Sequence, residues 1–129
     1  MDDALLLDTC ALLWLASGSD RLSAEARDRI RRAPEVYYSP ISAWEIAQKV
    51  AHGELTLPDP PLKWMEDLAE RYQLTAIPLS LPVLVKSTEL PPHHKDPADR
   101  FIISTALIRG IPVVTTDRRY KDYGVETLS

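Results

Sequence analysis

Short apolar runs alternate along this chain with stretches of helical periodicity. The first run, 4–7, is uniformly apolar, as expected for a central parallel strand that helices cover on both faces. Strands are predicted at 4–7, 36–38, 74–77, 111–114 and 125–128. Helices are predicted at 10–16, 24–33, 40–52, 61–73, 82–90 and 97–109. This alternation predicts a three-layer α/β/α domain around a mainly parallel sheet of four or five strands.

The bulk properties narrow the class of protein. A chain of 129 residues has the size of one domain, and we expect 1–129 to form a single one. Its net charge of −4 does not attract nucleic acid, so a polyanion would need a local basic patch or a metal. Cys10 is the only cysteine, which excludes an intramolecular disulfide and a cysteine-based zinc site. Asp2 and Asp3 replace the basic residues of a signal peptide and no apolar run would span a membrane, so we expect a cytoplasmic protein.

Four acidic residues each stand where an apolar run gives way to a helix start. They are Asp8, Glu45, Asp99 and Asp117. In a parallel α/β fold such positions lie at one edge of the sheet, where ligands bind. Carboxylates gathered there repel one another, and a divalent cation would relieve the repulsion. The sequence therefore predicts a metal site at this edge.

Most of these acids also have a purely structural interpretation. Asp8 and Asp117 can each cap the helix or turn that follows. Asp96 is most simply a helix N-cap, and Asp99 then lies in the first turn, where it favours the helix dipole. Asp99 precedes an apolar stretch, which brings it near the boundary of the core.

Glu45 has two interpretations that the sequence leaves open. It follows Ser42 at the spacing of a capping box, which is a structural role. If the helix instead begins at Pro40, Glu45 lies beyond the cap and points over the sheet edge.

The chemistry of these side chains favours one reaction class. Oxygen ligands alone suit Mg²⁺ or Mn²⁺ rather than zinc. Such an ion lowers the pKa of a bound water and stabilises charge on a phosphoryl group, and paired ions about 4 Å apart are common in nucleases. The acidic cluster therefore best supports hydrolysis of a phosphodiester bond.

Four blocks of the chain resemble the PIN-domain ribonucleases, in particular the VapC-type toxins of bacterial toxin–antitoxin pairs. The blocks are LLLDTCALLWL, SPISAWEIAQKVAHGELTLP, LPPHHKDPADRFIISTAL and IPVVTTD, in the family's order and approximate spacing over nearly the whole chain. The resemblance implies that the catalytic and metal-binding residues are Asp8, Glu45, Asp99 and Asp117. It implies auxiliary roles for Thr9, Asp96, Thr115 and Thr116.

The resemblance also implies an activity and partners. The activity is that of a growth-inhibiting endoribonuclease that depends on Mg²⁺ or Mn²⁺. The partners are the RNA substrate, a second copy in a homodimer, and a VapB-type antitoxin whose C-terminal segment blocks the site. Operator DNA would be bound only indirectly, through the antitoxin. Cys10 stands where relatives often have His or Asn.

Several basic residues flank the acids along the chain. We predict RNA-phosphate contacts from Lys49, Arg100, Arg118 and Arg119. Arg100 has the alternative of pairing with a neighbouring carboxylate, and Lys49 that of an i,i+4 pair with Glu45. The arginines of helix 24–33 are interpreted as a solvated face.

Two further groups of residues receive structural interpretations. His93 and His94 are interpreted as loop residues, with substrate contact a lesser alternative for His94, because Mg²⁺ does not favour histidine. Trp14, Trp44 and Trp64 lie on apolar helix faces, so we expect them in the core or at an interface rather than stacked on bases.

Two other classes of protein compete with the nuclease. A phosphoacceptor receiver domain needs an acidic pair after its first strand and an Asp at the end of its third. Here Asp8 stands alone and 75–78 contains no Asp, which argues against a receiver. A non-catalytic PIN-like binding module would use the acidic pocket for a protein partner, and the complete set of four acids argues against it.

Overall fold

A computed structural model describes residues 4–129, and a five-stranded sheet forms the centre of this part of the chain. The strands are β1 (Leu5–Leu7), β2 (Val36–Tyr38), β3 (Leu74–Ala76), β4 (Val113–Val114) and β5 (Thr127–Leu128). Neighbouring strands are parallel throughout the described sheet, in the order β3-β2-β1-β4-β5. The predicted parallel sheet is confirmed, with five strands. The prediction that the N-terminus is not a signal peptide rests on Asp2 and Asp3, which lie outside the described residues.

Helices connect the strands at the predicted positions. They are α1 (Thr9–Ser17), α2 (Ala24–Arg32), α3 (Pro40–Ala51), α4 (Pro61–Tyr72), α5 (Leu81–Glu89) and α6 (Pro97–Arg109), followed by a 3-10 helix, Arg118–Tyr123. Ser23 and Ser39 cap α2 and α3 through their hydroxyl oxygens, and Gly110 ends α6 with a φ of +65° that favours glycine. Between residues 4 and 129, no helix is long and apolar enough to cross a membrane.

The leucines of β1 explain why the first run is uniformly apolar. Leu5 and Leu7 are buried in one core cluster, together with side chains of α1 to α4. Leu6 points to the opposite face, into a second cluster with α6, and α5 packs against α6. Because successive side chains of a strand alternate between faces, a strand covered on both sides is apolar at every position. The two clusters make this a three-layer α/β/α fold, as predicted.

The strand order places a crevice at the centre of the sheet edge. The chain moves outward from β1 through β2 to β3 and then crosses back, through α5 and α6, to β4 on the other side of β1. Ligands of open α/β sheets bind at such a switch point, at the carboxyl ends of the strands. The order also differs from the 2-1-3-4-5 order of receiver domains, which supports the rejection of that class.

Candidate metal centre at the carboxyl edge of the sheet

Asp8 is the most buried of the four predicted metal ligands, with 5% of its surface exposed. It follows β1 and is the N-cap of α1, where its Oδ1 accepts the Ala11 N–H at 2.8 Å. Burial is the main cause that raises the pKa of Asp8 to about 6. Hydrogen bonds from Thr115 and Ala11 oppose this rise, and the charges of Asp117 and Glu45 add to it. The cap interpretation of Asp8 is confirmed, but the cap sits inside a field of other carboxylates.

Asp99 lies in the first turn of α6. Its Oδ1 accepts the Tyr120 hydroxyl at 2.6 Å, and its Oδ2 lies 3.3 Å from Nε2 of His94. Burial raises the pKa of Asp99 to about 6, although Tyr120 and His94 act to lower it. The nearby carboxylate of Asp96 raises it further. Asp99 is therefore a second acid that resists ionisation.

Asp117 follows β4 and caps the 3-10 helix. Its Oδ1 accepts the backbone and Nε hydrogens of Arg119, both at 3.0 Å. Its Oδ2 lies 2.9 Å from Nη2 of Arg119 and 2.8 Å from Nε2 of His94. Partial burial opposes ionisation of Asp117, but the hydrogen bonds from Arg119 and His94 outweigh it and lower the pKa to about 2. This acid stays ionised over the whole physiological range.

Glu45 lies beside the cluster on the second turn of α3. The helix begins at Pro40, and Ser39 rather than Ser42 is its N-cap. The capping-box interpretation of Glu45 is therefore wrong. The side chain is half-buried, and its charge contributes to the raised pKa of Asp8, which places Glu45 in the same electrostatic cluster.

The donor atoms of this cluster fit a hard divalent cation. The four acids offer carboxylate oxygens, which Mg²⁺ and Mn²⁺ prefer. Ligand atoms of His94, Asp99 and Asp117 lie within 4.8 Å of one another. Burial is the largest cause of the raised pKa values of Asp8 and Asp99, both about 6, and neighbouring carboxylates add to the rise. A bound cation would lower both.

Sequence reasoning missed two residues of the site, His94 and Tyr120. His94 lies in the loop between α5 and α6, as interpreted, but it is only 2% exposed, and the sequence did not predict its burial beside the acids. Tyr120 is completely buried, and its hydroxyl reaches Asp99. A tyrosine with a buried hydroxyl needs a polar partner, but the sequence does not say which one.

Two of the predicted auxiliary hydroxyl residues lie inside the site. Thr115 is buried, hydrogen-bonds to Asp8, and accepts the Asp117 N–H at 3.0 Å. Thr9 is also buried, and its hydroxyl donates to Oγ of Ser42 at 2.9 Å. Thr115 thus links two of the acids, and Thr9 links α1 to α3.

The other two auxiliary residues lie at the rim. Asp96 is the N-cap of α6, with its Oδ1 accepting the Ala98 N–H at 3.0 Å, as the cap interpretation predicted. Thr116 is exposed, in a cavity of about 360 Å³ whose wall also includes Asp117, Arg118 and Lys121.

Arg100 has a structural role that the sequence did not reveal. Its Nε and Nη2 donate to the carbonyl of Ser87, and Nη2 also donates to Leu90 at 2.7 Å. Its Nη1 donates to the carbonyls of Pro91 and His94 at 3.0 and 2.9 Å. These contacts use all five guanidinium hydrogens. Arg100 therefore binds backbone carbonyls instead of the RNA phosphate or the neighbouring carboxylate that the sequence predicted.

The remaining predicted RNA-binding residues surround the acids. Arg119 is mostly exposed and paired with Asp117, while Arg118 is exposed next to it. Lys49 is half-buried on α3, one turn after Glu45, and its charge acts to lower the pKa of the Cys10 thiol. These three cations remain available to a polyanion approaching the sheet edge.

A cavity of about 360 Å³ opens beside Glu45, between α3 and the start of α6, and includes Trp44 and Lys49. Trp44 is 57% exposed, so this tryptophan is not in the core, and its place at an interface stays a prediction. Trp64 is buried, and Trp14 packs, half-buried, against the core, as expected.

A parallel sheet with acids at its switch point defines an α/β fold with a ligand-binding edge, and comparison with known proteins identifies its family. The sequence profile of the PIN domain family matches residues 5–126, and the chain belongs to that family. Ribonuclease VapC22 of Mycobacterium tuberculosis is 34% identical over 120 residues, which cover 92% of this chain and 91% of that protein.

Solved structures with the same fold include toxin–antitoxin complexes. VapBC2 from Rickettsia felis, bound to a DNA fragment from their promoter, has a TM-score of 0.73 at 15% identity and covers 97% of both chains. A toxin–antitoxin complex from Klebsiella pneumoniae has a TM-score of 0.68 at 18% identity, covering 97% of this chain and 96% of that one. FitAcB from Neisseria gonorrhoeae has a TM-score of 0.63 at 22% identity with the same coverage. At these identities the likeness establishes the fold alone.

Proposed function

We propose that this protein is a metal-dependent endoribonuclease of the VapC type, which cleaves RNA in the cytoplasm and inhibits growth until an antitoxin neutralises it. The observation that supports the proposal is that ligand atoms of Asp99, Asp117 and His94 lie within 4.8 Å of one another at the carboxyl edge of the sheet. The charges of Asp117 and Glu45 also act on Asp8. Two of these acids have a pKa raised to about 6, mainly by burial, and perturbed carboxyls of this kind are concentrated at functional sites. The relationship to ribonuclease VapC22 supports the activity.

The four acids would hold Mg²⁺ or Mn²⁺. When bound, the ion supplies a water of lowered pKa and stabilises negative charge on the phosphoryl group. Asp8 uses Oδ1 as the α1 cap, which leaves Oδ2 for the site. Tyr120 fixes Oδ1 of Asp99 and so orients the whole carboxylate. Asp117 is kept ionised by Arg119 and His94 and offers its charge at any physiological pH.

RNA would approach across the exposed rim. Because the chain carries a net charge of −4, binding depends on a local group of cations. Lys49 on one side, and Arg118 and Arg119 on the other, flank the acids and would contact phosphates on either side of the scissile bond.

An apolar groove between α3 and α4 supports the proposed VapB-type antitoxin partner. Its volume is about 500 Å³, its lining includes Tyr38, Trp44 and Met65, and Leu62 at its edge is 73% exposed. An amphipathic segment would bury these side chains. Operator DNA would be contacted only indirectly, through the antitoxin, as the family resemblance implies. The homodimer also remains a proposal.

The test is cleavage of labelled single-stranded RNA with Mn²⁺, with Mg²⁺ and with a chelator. We expect cleavage only with metal, and a loss of about 1000-fold in Asp8→Asn or Asp99→Asn, because a ligand lost from the site removes several kcal/mol of transition-state stabilisation. Asp67→Asn, an exposed acid on α4, is the matched control. Circular dichroism checks the fold of each variant.

Two results would contradict the proposal. Undiminished cleavage by a folded Asp8→Asn protein would remove the acidic cluster from the mechanism. RNA or protein binding without cleavage under all metal conditions would favour the non-catalytic binding module instead.

A further inference from the structure

His94 lies in the loop between α5 and α6, yet its ring is buried inside the acidic cluster. Only 2% of its surface is exposed. Its Nε2 lies 2.8 Å from Oδ2 of Asp117 and 3.3 Å from Oδ2 of Asp99. The ring thus joins the acid that follows β4 to the acid that begins α6.

The hydrogen bond at the other ring nitrogen, Nδ1, decides which of the two nitrogens carries the hydrogen of the neutral ring. Nδ1 of His94 accepts the backbone N–H of Asp96 at 3.2 Å, so Nδ1 presents its lone pair to this donor and carries no hydrogen. The hydrogen of the neutral ring is then on Nε2, which is the atom facing the two carboxylates. His94 is therefore a donor shared by Asp99 and Asp117.

This arrangement opposes a role as metal ligand. To bind a metal through Nε2, the neutral ring would move its hydrogen to Nδ1. Nδ1–H would then face the Asp96 N–H, with two donors pointing at each other. The backbone of α6 thus selects the tautomer that donates.

The surrounding loop holds the ring in this position. The backbone N–H of His94 donates to the Tyr123 hydroxyl at 2.8 Å, and the backbone carbonyl of His94 accepts from Arg100. Tyr120 packs edge-on against the ring, with centroids 6.1 Å apart. Side chains from α6 and from the 3-10 helix therefore fix the donor from several directions.

We propose that His94 is a positioning residue, which draws Oδ2 of Asp99 and Oδ2 of Asp117 to one Nε2–H and thereby sets the spacing of these two carboxylates for a cation. The inference rests on the proposed metal-binding function of both acids. Without the donor, the two like charges repel and turn apart, and the cation has to bring them together on binding.

Two variants separate positioning from simple packing. His94→Gln keeps an N–H donor near the place of Nε2, whereas His94→Leu keeps similar volume without a donor. Mn²⁺ binding to the full-length chain is measured by calorimetric titration, and thermal unfolding of each metal-free protein is recorded alongside. We expect His94→Leu to weaken Mn²⁺ binding roughly 10- to 100-fold, as for other residues that orient metal ligands, and His94→Gln to stay within about threefold of wild type.

The outcomes distinguish the inference from its basis. Wild-type affinity in His94→Leu, or equal weakening in both variants with equal loss of stability, overturns the positioning role alone. A wild-type protein that binds no Mn²⁺ overturns the proposed function as well. Long-range ¹H–¹⁵N NMR on the wild type needs no variant to fold. We expect the Nε2–H tautomer of His94 with and without Mg²⁺, and a hydrogen on Nδ1 in the Mg²⁺-bound protein would overturn the inference.

Discussion

Asp8 and Asp117 follow adjacent strands of the same sheet and each caps the helix that comes next, but their pKa values move in opposite directions. Burial raises the pKa of Asp8 to about 6, whereas hydrogen bonds from Arg119 and His94 outweigh burial and lower that of Asp117 to about 2. The difference lies in the counter-charge. Asp117 forms an ion pair with Arg119, whereas Asp8 receives only hydrogen bonds from Thr115 and Ala11.

The contrast teaches where an external cation is needed. The negative charge of Asp117 is already balanced by Arg119 when no metal is bound. The Asp8 side, together with Asp99, holds carboxyls that ionise fully near neutral pH only at a cost. A cation would therefore gain most of its binding energy from Asp8 and Asp99, while Asp117 would share its charge with Arg119.

The largest effect is expected from breaking the support of the Asp117 side. Arg100→Lys keeps the charge but loses most of the hydrogen bonds that the guanidinium donates, and we expect it to lower the free energy of unfolding by about 3 kcal/mol. Urea unfolding measures the loss, and hydrogen exchange should localise it to the loop that carries His94. Arg109→Lys, at the exposed end of α6, is the control. Equal stability of the two variants would show that the Arg100 contacts contribute little.

The next effect concerns the Asp8 side alone. Asp8→Asn keeps a capping oxygen, and we expect it to stabilise the metal-free protein at pH 7.5 by about 2 kcal/mol. The pKa of Asp8 is raised from 3.8 to about 6, so the folded state holds a proton that the unfolded state has lost, and wild-type stability falls as pH rises through that window. The gain should vanish near pH 4. Unfolding curves at both pH values test this, and a variant destabilised at pH 7.5 would contradict it.

Asp117→Asn should act in the opposite direction. The pKa of Asp117 is lowered to about 2, so its charge stabilises the fold above pH 4 and the contribution disappears as pH falls from about 4 to 2. The side chain keeps 22% of its surface exposed, so screening by solvent reduces the expected loss to about 1 kcal/mol at pH 7. The same unfolding curves measure it. A stabilised Asp117→Asn protein would erase the contrast with Asp8.

The smallest effect should come from Arg119. Arg119→Gln removes the competing counter-charge of Asp117, and we expect Mn²⁺ to bind roughly two- to fivefold more tightly, the range for a solvent-exposed ion pair. Arg118→Gln, at the neighbouring exposed position, is the control and should not share the gain. Calorimetric titration measures both. Weaker Mn²⁺ binding in Arg119→Gln would mean that the arginine orients Asp117 rather than competing for it.

Much of the fold was predictable because it depends on local patterns. The uniformly apolar run at 4–7 predicted a strand buried on both faces, and β1 is such a strand. Ser23 and Asp96 marked helix starts through their capping chemistry, and both cap in the structure. The sequence left two interpretations of Glu45 open because Ser39 and Ser42 are both good caps, and in the structure Ser39 is the cap of α3.

The positions of the predicted acids at strand and helix ends could be read from the sequence, but the groups that contact these acids could not. Asp8, Asp99 and Asp117 stand at strand and helix ends, which the chain order brings to one edge. His94, Tyr120 and the carbonyl-bound Arg100 carry no local signal for their roles, because their partners come from distant segments.

The sequence by itself determined the parallel α/β fold, the edge at which the acids gather and the kind of ion that their oxygens suit. Periodicity, capping and side-chain chemistry are properties of short segments and can be read there. Only the tertiary structure decided which acid resists its charge, which one has a cation beside it, and that a histidine joins Asp99 to Asp117. A pKa depends on burial and on neighbours within a few ångströms, and folding from distant segments supplies both.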